Sequence, residues 1–122
     1  MNRQGICKKI YQTYWRGASR RGLPFDLSLG EVNKFLLGDC FYCGVGPTNV
    51  QSDYDHKSCS IVRFIYNGID RIDNHLGYTP ENCVSCCYPC NKMKMNTTLE
   101  DFFVRISRIY RYHNLGQVAQ ED

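Results

Sequence analysis

The clearest alternation of apolar and polar positions lies late in the chain, where Leu99, Phe102, Phe103, Ile106, Ile109 and Tyr110 recur at helical spacing. Thr97 followed by Glu100 reads as a capping box, so a helix over residues 97–115 is expected, its stripe in the core and Arg105, Arg108 and Arg111 on the other side. Residues 6–21 predict another helix, with Ile10 and Tyr14 on one face, ended by Gly22 and Pro24. Ser28 and Glu31 form a capping box for a short helix over 29–37, stopped by Gly38. Residues 48–60 are polar and weakly patterned, and read as a surface loop. Residues 61–73 carry the β-branched and aromatic side chains of a strand, with Asn67-Gly68 marking a turn or bulge. A turn at residues 77–80, a brief return strand at 83–86 and a helix after Pro89 complete the pattern. The expectation is α+β: a basic helical segment (1–38), a strand–loop–strand–helix core (39–96), a C-terminal helix (97–115) and a frayed tail (116–122).

Cysteine changes the picture most. The 122 residues suit one domain that buries about two-thirds of its unfolded surface, a modest core. Eight cysteines accompany a start, MNRQGICKKI, with no apolar stretch of signal-peptide type, and no run of roughly eighteen apolar residues predicts a membrane span. A reducing cytoplasm is therefore expected, where paired CxxC units hold metal rather than disulfides. Cys40 and Cys43 with Cys87 and Cys90 supply four thiolates for one tetrahedral zinc. Cys83 and Cys86 make a competing CxxC; Cys87 is preferred because Cys87-Tyr88-Pro89-Cys90 leads straight into the helix. Cys7 and Cys59 read as buried thiols, with a second zinc on His56 and Cys59 as the lesser alternative.

Net charge is only +3, but the first 25 residues hold Arg3, Lys8, Lys9, Arg16, Arg20 and Arg21 and no acid. Tyr11, Tyr14 and Trp15 lie among them. Such a segment suits a phosphate backbone, and equally a solvated helix whose aromatics pack inward.

Four pieces then come in order: Cys40-Phe41-Tyr42-Cys43-Gly44, Asp70-Arg71-Ile72-Asp73, Gly77-Tyr78-Thr79-Pro80-Glu81-Asn82, and Cys87-Tyr88-Pro89-Cys90-Asn91-Lys92-Met93-Lys94. Together they resemble the HNH endonucleases of the ββα-metal, or His-Me finger, group, over about half the chain. The resemblance implies a small zinc-stabilised β-hairpin and helix around a catalytic divalent ion, as in many phage, homing and restriction nucleases. It implies that Asp70 and Asn91 bind magnesium or manganese and that Asn82 pins the hairpin loop. It also implies DNA as partner, hydrolysis of phosphodiester bonds, and a bacterial, phage or viral origin. Lys8, Lys9, Arg16, Arg20, Arg21, Lys92, Lys94 and Arg105 would hold the backbone, and a double-strand cut would need a homodimer or two visits.

One position departs from the pattern. Where the family commonly carries a histidine base, this chain has Arg71, which stays protonated at working pH and suits a phosphate clamp instead. If the strand continues, Arg71, Asp73 and His75 share a face, which makes His75 the first candidate base and Asp73 a further ligand or partner of Arg71. His56, after Asp55, is the runner-up, and activation of water by the divalent ion alone is a third route. The competing functional reading is a non-catalytic zinc-ribbon nucleic-acid binder with a degenerate site.

Overall fold

The computed structural model describes residues 3–118 and is mixed α+β. Helix α1 (Arg3–Arg20) turns Ile6, Ile10, Tyr14 and Ala18, spaced four apart, toward the interior and leaves Lys8, Arg16 and Arg20 exposed. Gly22, at φ +69°, takes the left-handed turn that a side chain would strain. Helix α2 (Leu29–Leu37) starts where the capping box places it: the Ser28 hydroxyl accepts from the Glu31 amide, and the Glu31 carboxylate accepts from the Ser28 amide. Its Val32 and Leu36 meet Ile6, Ile10, Phe64, Ile69 and Tyr78 in one buried cluster.

The sheet region differs from the sequence expectation. Residues 48–60 are not a loop: β1 (Asn49–Asp55) pairs antiparallel with β2 (Ser60–Tyr66) along its full length, Asn49 opposite Tyr66 and Asp55 opposite Ser60. The half-buried positions of β1 are Asn49, Gln51, Asp53 and Asp55, so no apolar alternation announces the strand. Cross-strand hydrogen bonding decides it instead. Residues 61–73 are likewise not one strand. The chain leaves the first sheet at Asn67 and enters a second with β3 (Gly68–Arg71), which pairs antiparallel with β4 (Cys83–Cys86). Asn67 is fully buried; its amide donates to the Leu36 carbonyl at 2.8 Å and its side chain to the Gly38 carbonyl at 2.9 Å. Those bonds fasten the crossing point to the end of α2.

A single 3₁₀ turn (Pro80–Asn82) precedes β4, and α3 (Tyr88–Lys94) follows it with Cys87 as N-cap. Helix α4 (Leu99–Tyr112) is capped by Thr98, whose hydroxyl accepts from the Asp101 amide, and not by Thr97 with Glu100. Thr97 instead donates its hydroxyl to the Lys94 carbonyl, closing the end of α3. The stripe of α4 is not core either. Phe102 alone of it is buried, while Phe103, Ile106, Ile109 and Tyr110 are 37–49% exposed. Phe102 and Phe103 at its start meet Tyr42, whereas further along Tyr110 meets only the short last helix at Gly116 among the described residues, and the stripe stays largely open. A last helix, α5 (Leu115–Val118), occupies the start of the expected tail, and residues 119–122 lie outside the described residues.

Gly68 sits where α1 meets the second sheet: a Cβ there would lie 2.9 Å from the Tyr14 hydroxyl, which accepts the Ile69 amide at 2.9 Å. Gly68→Ala should therefore lower stability by about 1–3 kcal/mol, as overpacking does, seen as an earlier urea midpoint with an unchanged slope.

Candidate active site beside a four-cysteine centre

Two tight turns build the metal centre. In the first, the Gly44 amide donates to the Cys40 carbonyl and the Cys40 amide to the Val45 carbonyl, with Gly44 at φ +79°. The Phe41 amide also donates to the Ser85 carbonyl, which fastens this knuckle to β4. In the second, Cys87 caps α3 and its sulfur accepts the Cys90 amide at 3.5 Å. The sulfurs of Cys40, Cys43, Cys87 and Cys90 come within 4.8 Å of one another, the single such group of potential ligands among the described residues. Cys86 and Cys83, the competing pair, fall outside it, as do His56 and Cys59 on the β1–β2 turn.

The donor set fits structural zinc. Burial opposes ionisation of Cys40, but the amides of Cys87, Cys43 and Tyr42 outweigh it and bring that thiol down to about 6. Burial, then the neighbouring thiols, push Cys90 and Cys87 the other way. Four thiolates this close require a cation among them, and zinc with four sulfurs is the ordinary structural solution.

Beside this centre β3 and α3 enclose a cleft of about 370 Å³ lined by Asp70, Arg71, Asn91, Lys92, Arg21 and Tyr78, among others. Asp70 is only 6% exposed. Its Oδ2 accepts the Tyr42 hydroxyl at 2.5 Å and lies 3.1 Å from the Lys94 ammonium. Burial, then the hydrogen bond to Asp70, raise the Tyr42 phenol well above its usual range, so it is a donor throughout. Lys94 is fully buried and also donates to the Arg71 carbonyl at 3.2 Å. Lys94 therefore cannot meet a DNA backbone; its ammonium is the paired charge of a buried carboxylate.

Arg71 is held by three contacts. Its Nη1 donates to the carbonyls of Asn74 at 2.7 Å and Leu76 at 2.9 Å, and its guanidinium lies 5.3 Å from the centre of the Tyr78 ring. Arg21, just past α1, donates to the Tyr78 hydroxyl at 3.0 Å, which brings a residue of the basic segment into the cleft. Asn82 is buried and clasps the loop after β3: its Oδ1 accepts the Asp73 amide, and its Nδ2 donates to the carbonyls of Asp73 and Gly77.

The strand ends at Arg71, so the extended run that would align Arg71, Asp73 and His75 is absent. Asp73 accepts the His75 amide in a local turn, and both residues are exposed, lining a separate depression with Thr98 and Glu100. His56 stacks edge-on against Tyr54 at the tip of the other sheet. Of the other basic residues, Lys9 pairs with Asp53 at 3.2 Å, Arg16 and Arg20 share an exposed face of α1 with Trp15, and Lys8 is exposed. The sequence offered no sign of Tyr42 at Asp70, because a tyrosine inside a CxxC is free to point anywhere.

No family model matches the chain. An uncharacterized protein of Acanthamoeba polyphaga mimivirus is 35% identical over 107 residues, which are 88% of this chain and 17% of that protein. The chain thus spans about a sixth of the length of this viral relative. Among solved structures, the rare-cutting HNH restriction endonuclease PacI is similar with a TM-score of 0.58 at 21% identity, over 88% of this chain and 81% of that one. The fold is accordingly HNH-like, with a four-cysteine cluster alongside. No helix among the described residues is long and apolar enough to cross a membrane.

Lys94→Met should cost about 3–5 kcal/mol, the usual penalty for stranding a buried charge. The double variant with Asp70→Asn should recover most of it, a coupling that denaturant unfolding of all four proteins would measure.

Proposed function

We propose that this protein is a metal-dependent DNA endonuclease that hydrolyses phosphodiester bonds. The observation that carries the reading is the shared cleft: Asp70 from β3 and Asn91 from α3 line one hollow with Arg71, Arg21 and Lys92, against the four-cysteine centre. A carboxylate and a carboxamide are hard oxygen donors that fit magnesium or manganese, and Oδ1 of Asp70 takes neither of the bonds that occupy Oδ2. When bound, such an ion supplies positive charge to the scissile phosphate and leaving oxygen.

The remaining roles belong to the chain itself. Arg71, fixed by two carbonyls, keeps the rest of its guanidinium for a non-bridging phosphate oxygen. Arg21 and Lys92 extend the positive lining on either side, so the flanking phosphates settle there, while Arg16, Arg20, Lys8 and Lys9 offer a more remote electrostatic surface. Asn82 holds the loop, with Asp73 and His75 as parts of it. His75 and His56 do not line the cleft, so this reading assigns neither the proton. Cleavage of both strands would take two copies or two encounters.

A second reading is a zinc-bearing nucleic-acid binder without catalysis. It is favoured by Lys94, whose ammonium already offsets the Asp70 charge.

A supercoiled-plasmid nicking assay in magnesium or manganese separates the two. The parent should nick, and Asp70→Asn and Asn91→Ala should each lose about 100-fold or more, the scale of charge stabilisation by a metal. His75→Ala should stay within about twofold. Lys92→Ala should weaken DNA retention with its salt slope reduced by about 1. Retention without nicking would transfer the protein to the second reading.

A further inference from the structure

We propose that Tyr42, carried on the zinc knuckle between Cys40 and Cys43, is a positioning residue that aims Asp70 at the divalent ion of the proposed nuclease site. The inference rests on the endonuclease reading and deepens it. Among the described residues, the two side chains that contact the Asp70 carboxylate meet it on one oxygen: the Tyr42 hydroxyl and the Lys94 ammonium converge on Oδ2. A carboxylate so held cannot rotate, and it offers the cleft a single oxygen, Oδ1. Asp70 is therefore a one-oxygen ligand by construction.

The two contacts divide the work. Lys94 offsets charge, and as a flexible ammonium it tolerates several carboxylate orientations. Tyr42 supplies direction, because its ring is wedged among Phe41 at 5.2 Å, Phe102 at 5.5 Å and Phe103 at 6.2 Å, the first two nearly perpendicular to it. Those rings come from the knuckle and from the start of α4. The hydroxyl is thus aimed by the fold of the zinc turn on one side and by a helix on the other. Zinc, on this account, does more than hold the fold together: the turn it closes ends in the bond that orients the carboxylate.

Tyr42→Phe keeps the ring packing and removes only the hydroxyl. Manganese binding is followed by electron paramagnetic resonance of the free ion, on zinc-loaded protein without DNA. The variant should retain one zinc per chain and its thermal midpoint within a few degrees, and bind manganese about 10–100-fold more weakly, the usual loss when an outer partner of a ligand is removed. Its nicking should then need more manganese yet approach the parental rate at saturation. Phe102→Leu, which keeps the hydroxyl but loosens its aim, should shift manganese binding the same way by a smaller factor. Unchanged manganese affinity in Tyr42→Phe overturns the proposal, and so does loss of zinc, which would assign the hydroxyl to folding of the knuckle. A parent protein that takes up no manganese sinks the metal-site reading itself, a result distinct from either.

Discussion

Four sulfurs from two turns more than forty residues apart must share one small volume, with the Cys43 and Cys87 sulfurs 3.7 Å apart. Asp70, Arg71 and Asn91 are placed by that constraint, and Arg21 joins them from the end of α1. Residues between the two turns are forced to go out and return, and β3 and β4 are the last leg out and the first leg back. Helix α3 begins on the second turn, so its Asn91 is fixed relative to the sulfurs within one turn of helix. The first turn carries Tyr42, whose hydroxyl reaches across to β3.

Charge follows the same plan. Among the described residues the interior holds one carboxylate and one ammonium, Asp70 and Lys94, and each would be untenable without the other. The cations that remain accessible in the cleft, Arg71, Arg21 and Lys92, therefore act outward, toward an anion. On the nuclease reading proposed above, that lining is the surface a polyanion would meet.

The sequence was most legible where a local rule was strong. The Ser28 and Glu31 box and each CxxC unit are patterns written within a few residues, and the return strand at residues 83–86 follows a turn signal that the sequence displays. Apart from the cap of α4, where Thr98 and not Thr97 takes the role, the larger misreadings came from non-local bonds. Strand β1 is held by its partner, not by its own pattern. The break at Asn67 is imposed by the carbonyls of Leu36 and Gly38. Lys94 looked like a surface cation because nothing in a CxxCNxxK run says that a lysine turns inward to a carboxylate on another strand. For α4 the periodicity was right and its meaning was not, since an apolar stripe shows which side is apolar and not what covers it.

The passage from β2 to β3 through Asn67 has a mechanical consequence. The outer hairpin and the strand bearing Asp70 are joined without slack, and the joint is clamped to the end of α2. A push on the outer hairpin would meet an anchored pivot three residues from the carboxylate. A bend at the tip of the outer ribbon would stop at that joint and leave the cleft around Asp70 in place, as a handle moves beyond a fixed bearing.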